Sequence, residues 1–191
     1  MVNINDLNRA YIKDPAFGHL REEGSHFVPG EGPLNAAVIV IGEAPGRQED
    51  QERRPFCGRS GGVLNRLLEL YGGIKREKCY VTNVLKYRPP GNRDPEPDEI
   101  LASKSYVGRE ILAIEPDVIM LVGRFALQLV FPTETITIAH GRPREHKGRI
   151  YLPTYHPAVA LYDSSMVDLL RKDFAMLPIA IAQSRNGTAH G

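Results

Sequence analysis

Cysteine is scarce in this sequence: two residues in 191, Cys57 and Cys79. Two cysteines do not build a disulfide framework, and two alone cannot fill a four-cysteine metal site. They fit free thiols in a reducing cytoplasm. Long apolar runs are also missing, and none approaches the ~20 residues that a membrane-spanning helix needs. The opening Met1-Val2-Asn3-Ile4-Asn5-Asp6 has neither the basic region nor the apolar core of a secretory signal. Net charge is close to absent, with 24 Lys and Arg against 23 Asp and Glu. That excludes a polyanion binder of extreme charge, but not a nucleic-acid enzyme whose positive charge is local. There is no internal repeat and no low-complexity segment. Hydrophobic residues make up 42%, an ordinary globular share that argues against wholesale disorder. The length suits one domain, expected over 1–183, with a polar tail at 184–191.

The stretch around which the chain is organised is Gly42-Glu43-Ala44-Pro45-Gly46-Arg47-Gln48-Glu49-Asp50. The apolar run Val38-Ile39-Val40-Ile41 leads into it and predicts a buried strand over 37–42. Strand-like runs follow at 79–84, 117–122, 135–139 and 149–152. Between them helical spacing predicts a short helix near 4–12, one after a Ser60 N-cap that Gly72-Gly73 ends, and one over 98–114. The last of these has Ile100, Leu101, Val107, Ile111, Leu112 and Ile114 on its apolar side. Further helices are expected at 124–130 and from Ser164 to Met176. Strands alternating with helices imply a parallel sheet covered on both faces. The loops after its strands converge at one edge, where open α/β sheets bind ligands. That topology brings Glu43, Asn83 and His156 together.

Positive charge is clustered in loops. Arg53, Arg54 and Arg59 flank the first motif, Lys86, Arg88 and Arg93 follow the second strand, and Arg142, Arg144, Lys147 and Arg149 lie near the last one. Basic loops on several strand ends point to a shared anionic ligand.

Four motifs in collinear order carry a family resemblance. They are Gly42-Glu43-Ala44-Pro45-Gly46 with Glu49-Asp50; Pro55-Phe56-Cys57-Gly58-Arg59-Ser60-Gly61; Thr82-Asn83-Val84-Leu85-Lys86 with Arg88-Pro89-Pro90-Gly91-Asn92-Arg93-Asp94-Pro95; and Pro153-Thr154-Tyr155-His156-Pro157-Ala158. Together they resemble the uracil-DNA glycosylase superfamily, and within it the family-four type of bacteria and archaea, over roughly residues 26–175. The resemblance implies an α/β fold, a three-layer αβα sandwich with a short, mostly parallel central sheet. It also implies hydrolysis of the N-glycosidic bond of uracil flipped out of single- or double-stranded DNA, by a cytoplasmic, nucleoid-associated monomer.

The same resemblance assigns roles. Phe56 offers a face on which the extruded base stacks. The Asn83 amide pairs with uracil O4 and N3–H and mismatches cytosine. His156 donates to uracil O2 as negative charge grows there. Ala44 occupies the position where the best-known glycosylase families carry an Asp, so Glu49 is the expected group for orienting water or stabilising the sugar cation. Glu43 is expected to shape the uracil pocket. Lys86, Arg88, Arg93, Arg142 and Arg144 are expected on DNA phosphates. Leu161 or Tyr162 stands where the family inserts a wedge.

The sequence departs from the family in one respect. Typical family-four members hold a [4Fe–4S] cluster on four cysteines. Two of these positions correspond here to Tyr87 and Ser103, and no cysteine precedes Cys57. The expectation is therefore no cluster and no metal, with Tyr87 and a packed N-terminal segment filling the space. Two rival readings stand beside the enzyme. One is a relative of the same fold that binds uracil-DNA with little or no turnover. Those relatives carry a basic, histidine-containing insert after the first motif, whereas Gln51-Glu52-Arg53-Arg54 has no histidine. The other is a nucleotide-binding α/β domain, which the sequence disfavours by lacking a phosphate loop or dinucleotide fingerprint.

Overall fold

The computed structural model describes residues 2–187. In chain order its elements are α1 (Ile4–Lys13), α2 (Gly18–Glu22), β1 (Val38–Gly42), α3 (Arg47–Glu52), α4 (Arg59–Leu70), β2 (Cys79–Asn83), α5 (Pro97–Ile114), β3 (Val118–Val122), α6 (Arg124–Val130), α7 (Ile136–Ala139), β4 (Arg144–His146), β5 (Arg149–Thr154), α8 (Met166–Ala175) and α9 (Leu177–Gly187). Among the described residues, five strands form one sheet in the order β2-β1-β3-β5-β4. The first four run parallel, and β4 pairs antiparallel to β5.

The alternation of side chains along β1 divides the core. Val38 and Val40 face a cluster that takes in Leu64, Leu67 and Leu68 of α4, Leu170 and Phe174 of α8, and Leu177 of α9. Ile39 and Ile41 face the opposite cluster, with Val107, Ile111 and Ile114 of α5 and Ala126, Leu127 and Leu129 of α6. Burial on both faces explains why the strand reads as a continuous apolar run instead of an alternating one. The result is the αβα sandwich. Among the described residues no helix is long and apolar enough to cross a membrane.

A third cluster lies off the end of the sheet. Tyr11, Phe17, Leu20, Leu85 and Tyr87 are buried together, with Phe27 and Tyr106 packed against them. Tyr11 and Phe17 stack with centroids 4.1 Å apart. In the N-terminal segment α1 turns Leu7 and Tyr11 inward, and aromatic contact holds the segment there.

Several expected elements differ. Residues 135–139 contribute the helix α7 and not a strand. Their Thr and Ile residues favour strands, but the side of β5 away from β3 is taken by Arg144–His146, so the sheet offers them no place there. Ser60 is not an N-cap; Gly58 takes that position in α4. The last helix ends at Ala175, and α9 follows through Gly187. The expected polar tail is thus helical over 184–187, and its residues 188–191 lie outside the described residues.

The inner side of α5 holds Val107, Ile111 and Ile114 as expected, with Ile100 packed against the core, but differs at two leucines. Leu101 and Leu112 are exposed, and the buried residues are Glu99, Ser103, Val107, Glu110, Ile111 and Ile114. Polar side chains enter the core here because each has a partner. Glu99 accepts hydrogen bonds from Arg93, Ser103 meets the Tyr11 hydroxyl at 3.1 Å, and Glu110 pairs with Lys86. Glu96 and Glu99 cap the helix start reciprocally.

Candidate active site

The carboxyl ends of β1, β2 and β5 surround a cavity of about 140 Å³ lined by Ala44, Gly46, Glu49, Phe56, Ser60, Asn83 and His156. Pockets for drug-sized ligands run to about 300–1,000 Å³, so this one suits a single small planar ring and not a whole nucleotide.

Asn83 closes β2 opposite Gly42 in the parallel register, and it is buried. The absence of a side chain at Gly42 makes the cavity possible. A Cβ there would come within 2.5 Å of both Asn83 Oδ1 and the Phe56 ring. Phe56 adopts φ 51°, a left-handed conformation that is costly for a bulky residue. Two features hold it. Gly61 lets α4 approach so closely that a Cβ would sit 1.8 Å from the Phe56 carbonyl oxygen. Arg76 donates to the carbonyls of Pro55, at 2.6 Å, and Phe56, at 3.3 Å. Nothing in the local sequence around Arg76 marks it for this task, because its partners lie in a different loop.

His156 begins the loop after β5, and its ring lies 5.6 Å from that of Phe56 at 25°. Its Nδ1 accepts a hydrogen bond from the Ala158 amide at 3.2 Å. In the neutral imidazole that acceptor role places the proton on Nε2. Burial pulls the His156 pKa down to about 4, so the neutral donor form prevails at physiological pH. The backbone beside it is fixed by Asp173, which receives His140 Nδ1 at 2.8 Å on one oxygen and the Tyr155 amide at 3.4 Å on the other. Burial raises the Asp173 carboxyl above its usual range, and His140 opposes that rise. The sequence offered no hint of this pair.

Glu49 sits in the first turn of α3 and is buried. Its Oε1 accepts from the Gly58 amide at 2.8 Å, and its Oε2 lies over Gly46, where a Cβ would approach to 2.8 Å. One carboxylate oxygen thus pins the Phe56 loop while the group as a whole faces the cavity. Glu43 was expected in the pocket wall but is not among the lining residues. It stands at the strand end within electrostatic reach of Asp94 and Arg124. Burial first, and then Asp94, push its pKa up to about 7, while Arg124 opposes them. Ser60, read from sequence as a cap, is instead part of the cavity wall.

The expected phosphate contacts divide. Lys86 is 2% exposed and paired with Glu110 at 2.6 Å, so its reading as a DNA contact is overturned: a sealed ammonium cannot reach a phosphate. Arg144 is half-buried, paired with Glu134 through one guanidinium nitrogen and placed over the Phe131 ring at 4.4 Å, while its Nε and other terminal nitrogen are buried with no partner among the described residues. Arg93 is shared between Glu96 and Glu99. Arg88 is half-buried with its Nε on Asn92 at 2.6 Å. Arg142 is exposed. Leu161 and Tyr162 end the short turn that His156 begins, and Tyr162 is 85% exposed.

Tyr87 and Ser103, which the resemblance sets at two cluster positions, are both engaged within the fold. Tyr87 is packed among Tyr11, Phe17 and Phe27, and Ser103 bonds to Tyr11. Among the described residues no group of three or more His, Cys, Asp or Glu could hold a metal ion.

Comparison with known proteins agrees with this geometry. Residues 29–177 match the uracil DNA glycosylase superfamily. The chain is 40% identical over 168 residues to a type-4 uracil-DNA glycosylase of Sulfurisphaera tokodaii, covering 83% of this chain and 76% of that one. It is 41% identical over 164 residues to the type-4 enzyme of Saccharolobus solfataricus, covering 81% and 76%. It is 38% identical over 169 residues to that of Archaeoglobus fulgidus, covering 81% and 82%. With its four motifs gathered at one sheet edge, this chain belongs to the uracil DNA glycosylase superfamily.

Proposed function

We propose that this protein is a monofunctional uracil-DNA glycosylase. The observation that carries the reading is that one base-sized cavity is lined by Phe56, Asn83, His156 and Glu49 together. The base leaves the duplex because its reacting atoms are inaccessible within the stack. It lies against Phe56 and meets the Asn83 amide, which offers a donor to uracil O4 and an acceptor to N3–H. Cytosine presents an amino group and an unprotonated N3 there and leaves buried groups unpaired.

In the reaction the C1′–N1 bond breaks, and its electron pair leaves with the base as a uracil anion. His156 Nε2–H donates to uracil O2, where that charge gathers, and the donation needs no imidazolium. Water adds its oxygen to the cationic C1′ and releases a proton to solvent. Glu49 orients that water or stabilises the sugar cation. Glu43, beside the rim, contributes negative charge when ionised. Arg88, Arg93 and Arg142 meet phosphates of single- or double-stranded DNA, and Leu161 or Tyr162 enters the stack as the wedge. The aromatic packing at Tyr87 supports a fold that is complete without an iron–sulfur cluster.

The test uses oligonucleotides bearing a single uracil, single- and double-stranded, incubated with the protein and cleaved at abasic sites by alkali. Strand breaks at the uracil are expected on at least one of them. Tight binding without breaks on either would overturn the enzyme in favour of a binding protein.

A further inference from the structure

We propose that the buried Lys86–Glu110 pair is a positioning device for Asn83, and that Lys86 is thereby a specificity-determining residue that never touches the base. This inference rests on the glycosylase reading of the cavity. Both side chains are sealed from solvent, at 2% and 1% exposure. All three ammonium protons are spent. One goes to Glu110 Oε2 at 2.6 Å, one to the Thr82 hydroxyl, and one to the backbone carbonyl of Asn83 at 2.8 Å. Glu110 in turn accepts from Tyr80 at 3.4 Å and from Thr82 at 3.3 Å.

The position of this network needs a reason. Two charges removed from water are costly, and an apolar pair of similar volume commonly serves stability as well or better. What an apolar pair cannot do is hold a carbonyl. β2 ends at Asn83, and beyond it the backbone leaves the sheet. The Val84 and Leu85 amides donate to the Gly42 and Glu43 carbonyls. The Lys86 amide donates to the Tyr11 hydroxyl, and its carbonyl receives the Val28 amide. Lys86 is therefore fixed by its backbone, and its side chain folds back beneath Asn83 to fix the peptide from which the selecting amide projects. Because Oδ1 of Asn83 rests over Gly42, a turn of that peptide moves the amide against the base.

The test compares Lys86→Met with Lys86→Met/Glu110→Gln. The single variant leaves Glu110 buried and unpaired and is expected to unfold readily. The double variant removes both charges, and Gln still accepts from Tyr80 and Thr82, so its melting temperature is expected to fall far less than that of the single variant, with the lost bond to the Asn83 carbonyl as the remaining cost. Its uracil excision is expected to fall about 100-fold in kcat/KM, the scale of loss that small misplacements produce. KM for DNA should be little changed, and inhibition by free uracil should be lost. A double variant with wild-type rate and wild-type uracil inhibition overturns the proposal. Wild-type protein that excises no uracil overturns the glycosylase reading instead. A crystal structure of the double variant then decides the inference without activity: a rotated Asn83 peptide supports it, and an unmoved one refutes it.

Discussion

Phe56 and His156 stack with ring centroids 5.6 Å apart in the wall of the cavity, although one comes from the loop before α4 and the other from the loop after β5. Gly42 is the position whose missing Cβ gives Phe56 room.

Phe56→Leu keeps an apolar group of similar bulk and removes the aromatic face. Stacking of a base on an aromatic ring contributes about 1–3 kcal/mol, so kcat/KM for uracil excision is expected to fall about 5- to 150-fold. Fluorescence anisotropy with an abasic-site duplex should stay close to wild type, because only the base has lost its partner.

His156→Ala removes a donor aimed at developing charge. Such losses cost about 10²–10³ in kcat, and DNA affinity is expected to change far less. The pH profile is a separate check. Burial holds the His156 pKa near 4, so the imidazole stays neutral through pH 5–8, and no limb near 6.5 should be assignable to it. Its effect on stability has a definite sign. The unfolded chain takes up a proton below about 6.5 while the folded one does not, so stability from this group is lost as pH falls from there toward 4.

Glu43 behaves in the opposite sense. Burial pushes its folded pKa up to about 7, above the ordinary carboxylate range, so the ionised form is penalised in the folded state above pH 7. That penalty fades as pH falls toward the unfolded value. Glu43→Gln is therefore expected to gain on the order of 2 kcal/mol in urea unfolding at pH 8 and almost nothing at pH 4.5. If ionised Glu43 serves catalysis, the variant also loses the acid limb of kcat near pH 7.

Arg76→Met tests the support of the Phe56 loop. Hydrogen bonds from a charged donor contribute about 1.5–3 kcal/mol each, and Arg76 supplies the Pro55 and Phe56 carbonyls while pairing with Glu31. Melting temperature should drop by several degrees, and KM for uracil-DNA should rise more than kcat falls, as the strained residue relaxes out of place.

Much of this was legible in the sequence where a single physical rule governs. Val38-Ile39-Val40-Ile41 reads as a buried parallel strand because both faces of β1 are covered. Asn83 and His156 could be expected together because parallel topology gathers strand ends, whereas Phe56 and Glu49 entered the site through the family resemblance, and Glu43, expected beside them, is not in the cavity lining. The rest needed three-dimensional partners. Lys86 looks like a phosphate contact among other basic residues, and only the presence of Glu110 beneath the sheet explains its burial. The polar Glu99, Ser103 and Glu110 made the inner side of α5 look like an outer one. Arg76 and Asp173 carry no motif, since each bonds backbone atoms of a distant loop, and His140 acts through the Asp173 carboxylate. The alternating Thr and Ile of 135–138 have strand propensity, and tertiary structure overrode it.

The measurement that bears most directly on the central claim is base selection by Asn83. Single-turnover excision is followed on matched oligonucleotides bearing one uracil or one target cytosine, with the wild type and Asn83→Asp. The wild type is expected to release uracil and leave cytosine intact, while the variant loses rate on uracil and attacks cytosine weakly. A wild type that leaves both intact, or a variant with unchanged rate and unchanged choice of base, would contradict the account.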